Sequence, residues 1–161
     1  MLRLYYFTSE RYGLEAISDN RLKIARINEL NDPFEFLGLA LNRGDRRVLT
    51  SLKNDLDKQY GLICMSKDWT HPLLWSHYAD SHRGLCLGFD IRPSAQHKFQ
   101  EVIYRKDRPT LKAIGIQDLG GMDLDRTMKL LRTKFDSWTD EGERRAFIGL
   151  TDKDPVSDLY F

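Results

Sequence analysis

Apolar and polar positions alternate between two rhythms along this chain, a period of two that marks half-buried strands and a period near 3.6 that marks amphipathic helices. Leu2–Thr8 is aromatic and apolar enough for a strand, and residues 9–18 place Tyr12, Glu15 and Ala16 on one face of a short helix that Asn20 ends. Residues 21–27 alternate Leu22, Ile24 and Ala25 or Ile27 with basic neighbours, which predicts a half-buried strand leading into a loop over 28–31. A further strand is expected after Glu35. Val48, Leu49, Leu52, Leu56 and Gln59 recur at helical spacing and predict an amphipathic helix over 48–60, followed by a strand over 62–66. A short helix crowded with Trp75, His77, Tyr78 and His82 is expected over 72–81, closed by Gly84 in a left-handed conformation before a strand at Leu85–Ile91. Residues 99–104 read as another strand, and residues 115–121 as a flexible loop. Leu124, Met128, Leu131, Phe135 and Trp138 share one face of a helix expected over 123–138, and an acidic turn over 139–142 leads to a strand over 144–150. The expected fold is a single α+β domain over 1–161, with a mixed or mostly antiparallel sheet and flanking helices.

Composition narrows the class. With 161 residues, 41% apolar and 30% charged, the chain has the makeup of one ordinary globular domain. Lys plus Arg number 25 against 24 for Asp plus Glu, so net charge does not point to nucleic acid or an anionic membrane. No apolar run approaches the ~18 residues of a membrane span or the core of a signal peptide, and a cytoplasmic protein is expected. Cys64 and Cys86 fall inside predicted strands, where buried reduced thiols are the first expectation and a cross-strand disulfide the alternative. The basic residues Arg43, Arg46, Arg47 and Lys53 are expected to form an exposed helix face.

Candidate chemistry gathers in a few short blocks. Many amphipathic side chains at a strand-to-helix junction suit a pocket, because their polar tips need partners or water. Asp32, Pro33 and Glu35 have the order of a capping box, which leaves the Asn31 amide available for a ribose or a phosphate. His77 and His82 are five apart, with no Glu in a metalloprotease arrangement, and no metal is expected. Glu141 and Glu143 either form a solvated acidic turn paired with Arg144, Arg145 or Lys134, or sit ~6.6 Å apart on one side of a strand and address one ligand.

Together the blocks Asn31-Asp32-Pro33-Phe34-Glu35, Cys64-Met65-Ser66, Trp75-Ser76-His77-Tyr78-Ala79, Gly84 to Asp90, and Glu141-x-Glu143-x-Arg145 after Trp138 resemble the domain-of-unknown-function 2971 family. The family pattern places an aromatic where this chain has Arg144, and it implies a further strand after Leu159-Tyr160-Phe161. That implies a missing C-terminal strand and self-association through the edge it leaves. A weaker similarity, a late Glu-x-Glu leading into a strand, connects the chain to ADP-ribosyltransferases. It implies an NAD-using, nucleotide-binding enzyme in which Glu143 fixes the ribose and stabilises a cationic sugar while Glu141 assists the acceptor. In that scheme His77 and Asn31 hold phosphate or ribose, and Tyr78, Trp75 or Tyr6 stacks on a base. The first strand carries Tyr5 and Tyr6 where such enzymes often hold the cofactor with His or Arg. The alternatives are a non-catalytic nucleotide-sensing module of a prokaryotic stress or phage-defence system, and a hydrolase with His77 as general base. The expected site residues are thus Glu143, Glu141 and His77 for catalysis and Asn31, Trp75, Tyr78 and Tyr6 for the cofactor. Glu143→Gln is expected to leave the melting temperature nearly unchanged if that side chain is exposed.

Overall fold

Burial of both faces of a central strand organises the molecule, whose computed structural model describes residues 1–31, 39–115, 124–151, 154–155 and 159–161. Strand β1 (Leu2–Thr8) is followed by helix α1 (Glu10–Asp19), strand β2 (Ala25–Arg26) and a 3-10 turn at Ile27–Glu29. Helix α2 (Arg43–Gln59) runs directly into β3 (Tyr60–Ser66), and helix α3 (Pro72–Tyr78) precedes β4 (Leu85–Ile91). Next come β5 (Gln100–Glu101), β6 (Ile103–Arg105), helix α4 (Leu124–Leu131), β7 (Thr133–Phe135), a 3-10 turn at Asp136–Glu141 and β8 (Glu143–Gly149). The main sheet has the order β4-β1-β3-β8-β5, every pairing antiparallel, with β2 also on β3; β6 and β7 form a small parallel pair. This is the α+β architecture expected.

Strand β3 sits between two cores because its side chains alternate across the sheet. Leu62 joins Ile27 and Leu131 on one face, with Cys64 and Phe147 packed beside them, while Met65 joins Leu4 and Ile91 on the other. A third cluster, Leu39, Leu49 and Leu130, lies outside both. Seven register pairs tie β3 to β8, from Tyr60↔Gly149 to Ser66↔Glu143. The other edge of β3 is divided: Ser66 pairs Tyr5 of β1, whereas Gly61 and Leu62 pair Arg26 and Ala25 of β2. Between those two short pairings the edge of β3 carries neither neighbour.

Several boundaries differ from the sequence pattern, each for a local reason. The strand expected over 21–27 keeps only two residues, because β3 offers β2 just two positions; Ile24 instead bridges Tyr160. Helix α2 begins five residues before Val48, where the Asn42 side chain accepts the Asp45 N–H at 2.8 Å and supplies the cap. The strand expected over 99–104 splits at Val102, whose N–H donates to Glu143 O at 3.0 Å while the following residues leave β8 to pair with β7. The helix expected over 123–138 stops at Leu131; tertiary pairing of β7 with β6 and the buried ion pairs of Lys134 override the helical period, and Phe135 is left exposed. Helix α3 stops at Tyr78, and Asp80, Ser81 and His82 are the left-handed residues, at φ 45°, 54° and 68°. Gly84 is not left-handed. It is needed for contact, since a Cβ there would lie 2.1 Å from Thr8 O. Cys64 and Cys86 are half-buried thiols on β3 and β4 with β1 between them, and no disulfide joins them. Arg43, Arg46 and Arg47 are exposed as expected, whereas Lys53 of the same expected face is half-buried. The 32–35 capping box, residues 36–38 of the strand expected after it and 116–121 of the expected loop lie outside the described residues, while residues 39–42 are not in a strand. Among the described residues no helix is long and apolar enough to cross a membrane.

Candidate functional site

Where β1 and β2 part along the edge of β3, a cleft of about 190 Å3 opens. Cross-strand partners share a sheet face, so Ser66 and Cys64 of β3 lie beside Glu143 and Arg145 of β8 and line the cleft together. Tyr5, Tyr6 and Phe7 come from β1, Lys23, Ala25, Glu29, Leu30 and Asn31 from the segment around β2, and Leu74 and Tyr78 from α3. The 3-10 turn brings Glu141, and β7 brings Lys134. Ser66 Oγ donates to Glu141 O at 2.6 Å and Lys67 N to Gly142 O at 3.3 Å, which pins that turn to the end of β3.

Four buried charges form the wall between β7, β8 and α3. Lys134 Nζ donates to Glu141 Oε2 at 2.6 Å and to Glu143 Oε2 at 3.3 Å. Arg145 grips Glu143 from two nitrogens, Nε to Oε1 at 2.7 Å and Nη2 to Oε2 at 2.9 Å, and gives Nη1 to Leu131 O at 2.7 Å. Tyr78 donates its hydroxyl to Glu141 Oε1, and the Glu143 N–H donates to Tyr104 Oη at 2.9 Å. Lys134 also lies over the Trp138 ring, 4.7 Å from its centroid. All four charged residues are at most 8% exposed, so the ionisation of each depends on the others.

The two carboxylates are driven apart. Burial raises the pKa of Glu141, with the negative charge of Glu143 adding to it and Lys134 only partly offsetting it. Burial also works against the charge on Glu143, but Arg145 and then Lys134 outweigh it and hold that carboxyl down at about 2. Burial and the Glu141 carboxylate push the Tyr78 phenol far above its ordinary value, so Tyr78 remains a hydrogen-bond donor. Burial lifts Tyr6 and Tyr104 to about 12. One carboxyl held below its ordinary value and one raised above it therefore face the same cleft, the separation by which paired carboxylates divide acid–base work.

Of the residues singled out from sequence, Tyr6, Asn31, Tyr78, Glu141 and Glu143 line this cleft, and two do not. His77 is exposed and lines a second cavity instead. Trp75 meets Phe7 edge-on at 5.4 Å and donates Nε1 to Trp69 O at 2.7 Å, a tie between α3, β1 and the preceding loop. Glu141 and Glu143 do not share a strand. Glu141 ends a 3-10 turn and Gly142, left-handed at φ 49°, redirects the chain before Glu143 opens β8. Their carboxylates converge on Lys134 rather than on the parallel projection of a strand. The solvated acidic turn is corrected as well: the expected pairing with Lys134 and Arg145 exists, but it is buried. Lys134 and Arg145 are the functional residues the sequence reading left as mere counter-ions. For Arg145 a signal was present, since its place two residues from Glu143 on a strand puts both on one face.

Residues 74–146 match the model of a family described as protein of unknown function (DUF2971). Comparison with curated proteins returns no match, and comparison with solved structures returns none. The DUF2971 match runs from the core of α3 into β8 and so takes in Tyr78, Lys134, Glu141, Glu143 and Arg145, the whole charged wall. Tyr6, Asn31 and Cys64 reach the cleft from the part of the chain before the matched residues. Thus the resemblance drawn from the short blocks is supported across its C-terminal half, and no match supports the likeness to ADP-ribosyltransferases.

Proposed function

We propose that the cleft binds a nucleotide and that the protein is a cytoplasmic, ADP-ribosyltransferase-like enzyme using NAD. The observation that carries this reading is the pair Glu141 and Glu143, from different elements, facing one cleft with opposite shifts in acidity. NAD would supply an ADP-ribosyl group whose bond from C1′ to the nicotinamide nitrogen breaks with its electron pair leaving on nicotinamide. Glu143, kept ionised and held by Arg145, presents a fixed negative charge to the cationic sugar that forms, and such a charge costs no reorganisation when it is needed. Glu141 receives the proton that the acceptor loses as its bond to C1′ forms, with Tyr78 and Lys134 orienting the carboxyl. The Asn31 amide hydrogen-bonds a ribose hydroxyl, and the Tyr6 and Tyr78 rings offer surfaces for nicotinamide. At about 190 Å3 the cleft falls below the ~300 Å3 of a site for a drug-sized ligand, so it takes one ring and its ribose rather than the whole dinucleotide.

A second reading, a non-catalytic nucleotide-sensing module, is favoured by one specific feature: both oxygens of Glu143 already accept from Arg145, with Lys134 on one of them. The discriminating experiment combines NAD titration by calorimetry with a turnover assay for released nicotinamide. The enzyme reading expects both binding and release, with release lost in Glu141→Gln while binding persists. Binding without release supports the module, and no binding of NAD overturns the enzyme reading.

A further inference from the structure

The second cavity, about 200 Å3, lies against the first, and Leu74 and Glu141 line both. Its remaining lining is of a different kind: His71, Leu73 and His77 around α3, and Ser137, Trp138 and Asp140 from the 3-10 turn. His77 and Trp138 stand with ring centroids 5.9 Å apart. The lining includes two carboxylates, those of Asp140 and Glu141, and neither lysine nor arginine. A phosphate is therefore a poor occupant, since the exposed Asp140 carboxylate repels it and no lining cation receives it. Aromatic rings and leucines suit a flat apolar group, while an exposed carboxylate and the Ser137 hydroxyl suit N–H donors on its rim.

We propose that this cavity is a subsite for the amino-bearing heteroaromatic ring of a nucleobase. Its exocyclic amino group donates to Asp140 and its plane lies against Trp138. This rests on the nucleotide reading of the neighbouring cleft, and it would place the base of an extended nucleotide across Glu141 from the ring and ribose in the first cavity. It gives His77 and Trp138 a common ligand, and it places the phosphates outside the second cavity.

The test uses adenosine, inosine and ribose 5-phosphate on the full chain, with tryptophan fluorescence and calorimetry as readouts. Adenosine is expected to bind with a fluorescence change that disappears in Trp138→Phe, and inosine, which lacks the exocyclic amine, to bind at least tenfold more weakly. Asp140→Ala, at a side chain that is 64% exposed and so safe for folding, should weaken adenosine at least tenfold and leave inosine within a factor of two. Equal binding of adenosine and inosine, binding of ribose 5-phosphate as tight as adenosine, displacement of adenosine by agmatine at equal concentration, or an adenosine affinity that ignores Asp140→Ala and follows Tyr78→Phe would each overturn the proposal. Adenosine binding without NAD turnover supports this subsite and sinks the enzyme reading. NAD turnover without any adenosine binding does the reverse.

Discussion

Glu143 is the residue whose behaviour departs furthest from what its neighbours in sequence suggest. On an exposed turn, Glu143→Gln would cost little; here the carboxylate is 8% exposed and shared by Arg145 and Lys134, so the substitution leaves the buried Arg145 with a neutral partner and Lys134 with Glu141 as its anion. Removing one partner from a buried network of this kind costs about 3–5 kcal/mol when nothing replaces it, and the retained amide oxygen should bring that to roughly 2–3 kcal/mol. For a chain of this length that is a melting temperature lower by about 4–12 °C, measurable by calorimetry at pH 7. Glu141→Gln should cost less than half as much, because Lys134 keeps its contact with Glu143 and burial already disfavours the charge on Glu141. The two carboxylates also predict opposite pH dependences. Glu143 has a folded pKa below its unfolded value, so its contribution is present above the ordinary carboxylate range and is lost as pH falls toward about 2. Glu141 has a folded pKa above its unfolded value, so its contribution is present in acid and is lost as pH rises through the folded pKa. The stability gap between the parent and Glu143→Gln should therefore narrow steadily from pH 5 to pH 2; a gap that stays constant over that range would show that the carboxylate is not clamped as described.

At the scale of elements, two glycines test whether the joints around the cleft are set by contact or by conformation. Gly84 has ordinary φ but no room, with a Cβ 2.1 Å from Thr8 O and 2.9 Å from Ala79 C, both backbone atoms that cannot swing away. Gly142 has room, nothing nearer than 3.9 Å, but a left-handed φ of 49°. Gly84→Ala should thus push α3 away from β1 and cost more than the ~1–2 kcal/mol of a left-handed alanine at Gly142, as read from urea midpoints. Equal costs would mean that the α3–β4 joint relaxes freely. These joints also show what the sequence made legible. Every strand of the main sheet except the two-residue β2 and β5 was marked in place by its apolar run, because burial on one or both faces writes itself into alternation. The joints were not, since Gly84 is required by the Thr8 carbonyl, 76 positions earlier in the chain, and the end of α4 by a parallel pairing with β6. Likewise Glu141 and Glu143 were visible as a motif, whereas the role of Lys134 was hidden inside a helical period that the structure breaks.

For the whole molecule, the consequence of placing β3 between two cores is that neither face of the sheet can be lost alone. Leu62 is fully buried on one side and Met65 4% exposed on the other, three residues apart on the same strand. Truncating either to alanine removes buried apolar volume worth about 2–5 kcal/mol, the spread depending on how far the surroundings collapse. If the two cores were separate units, Leu62→Ala would lower one transition and Met65→Ala another. Because both side chains hang from one strand, and that strand is joined to β8 by seven register pairs, each substitution should shift a single transition that remains cooperative by circular dichroism and by tryptophan fluorescence alike. The charged wall belongs to the same unit, since Glu143 and Arg145 lie opposite Ser66 and Cys64 of that strand, so loss of either core should release the cleft at the same midpoint. Two resolved transitions in either variant, or a cleft that loses ligand before the sheet unfolds, would show that one face of the sheet stands without the other.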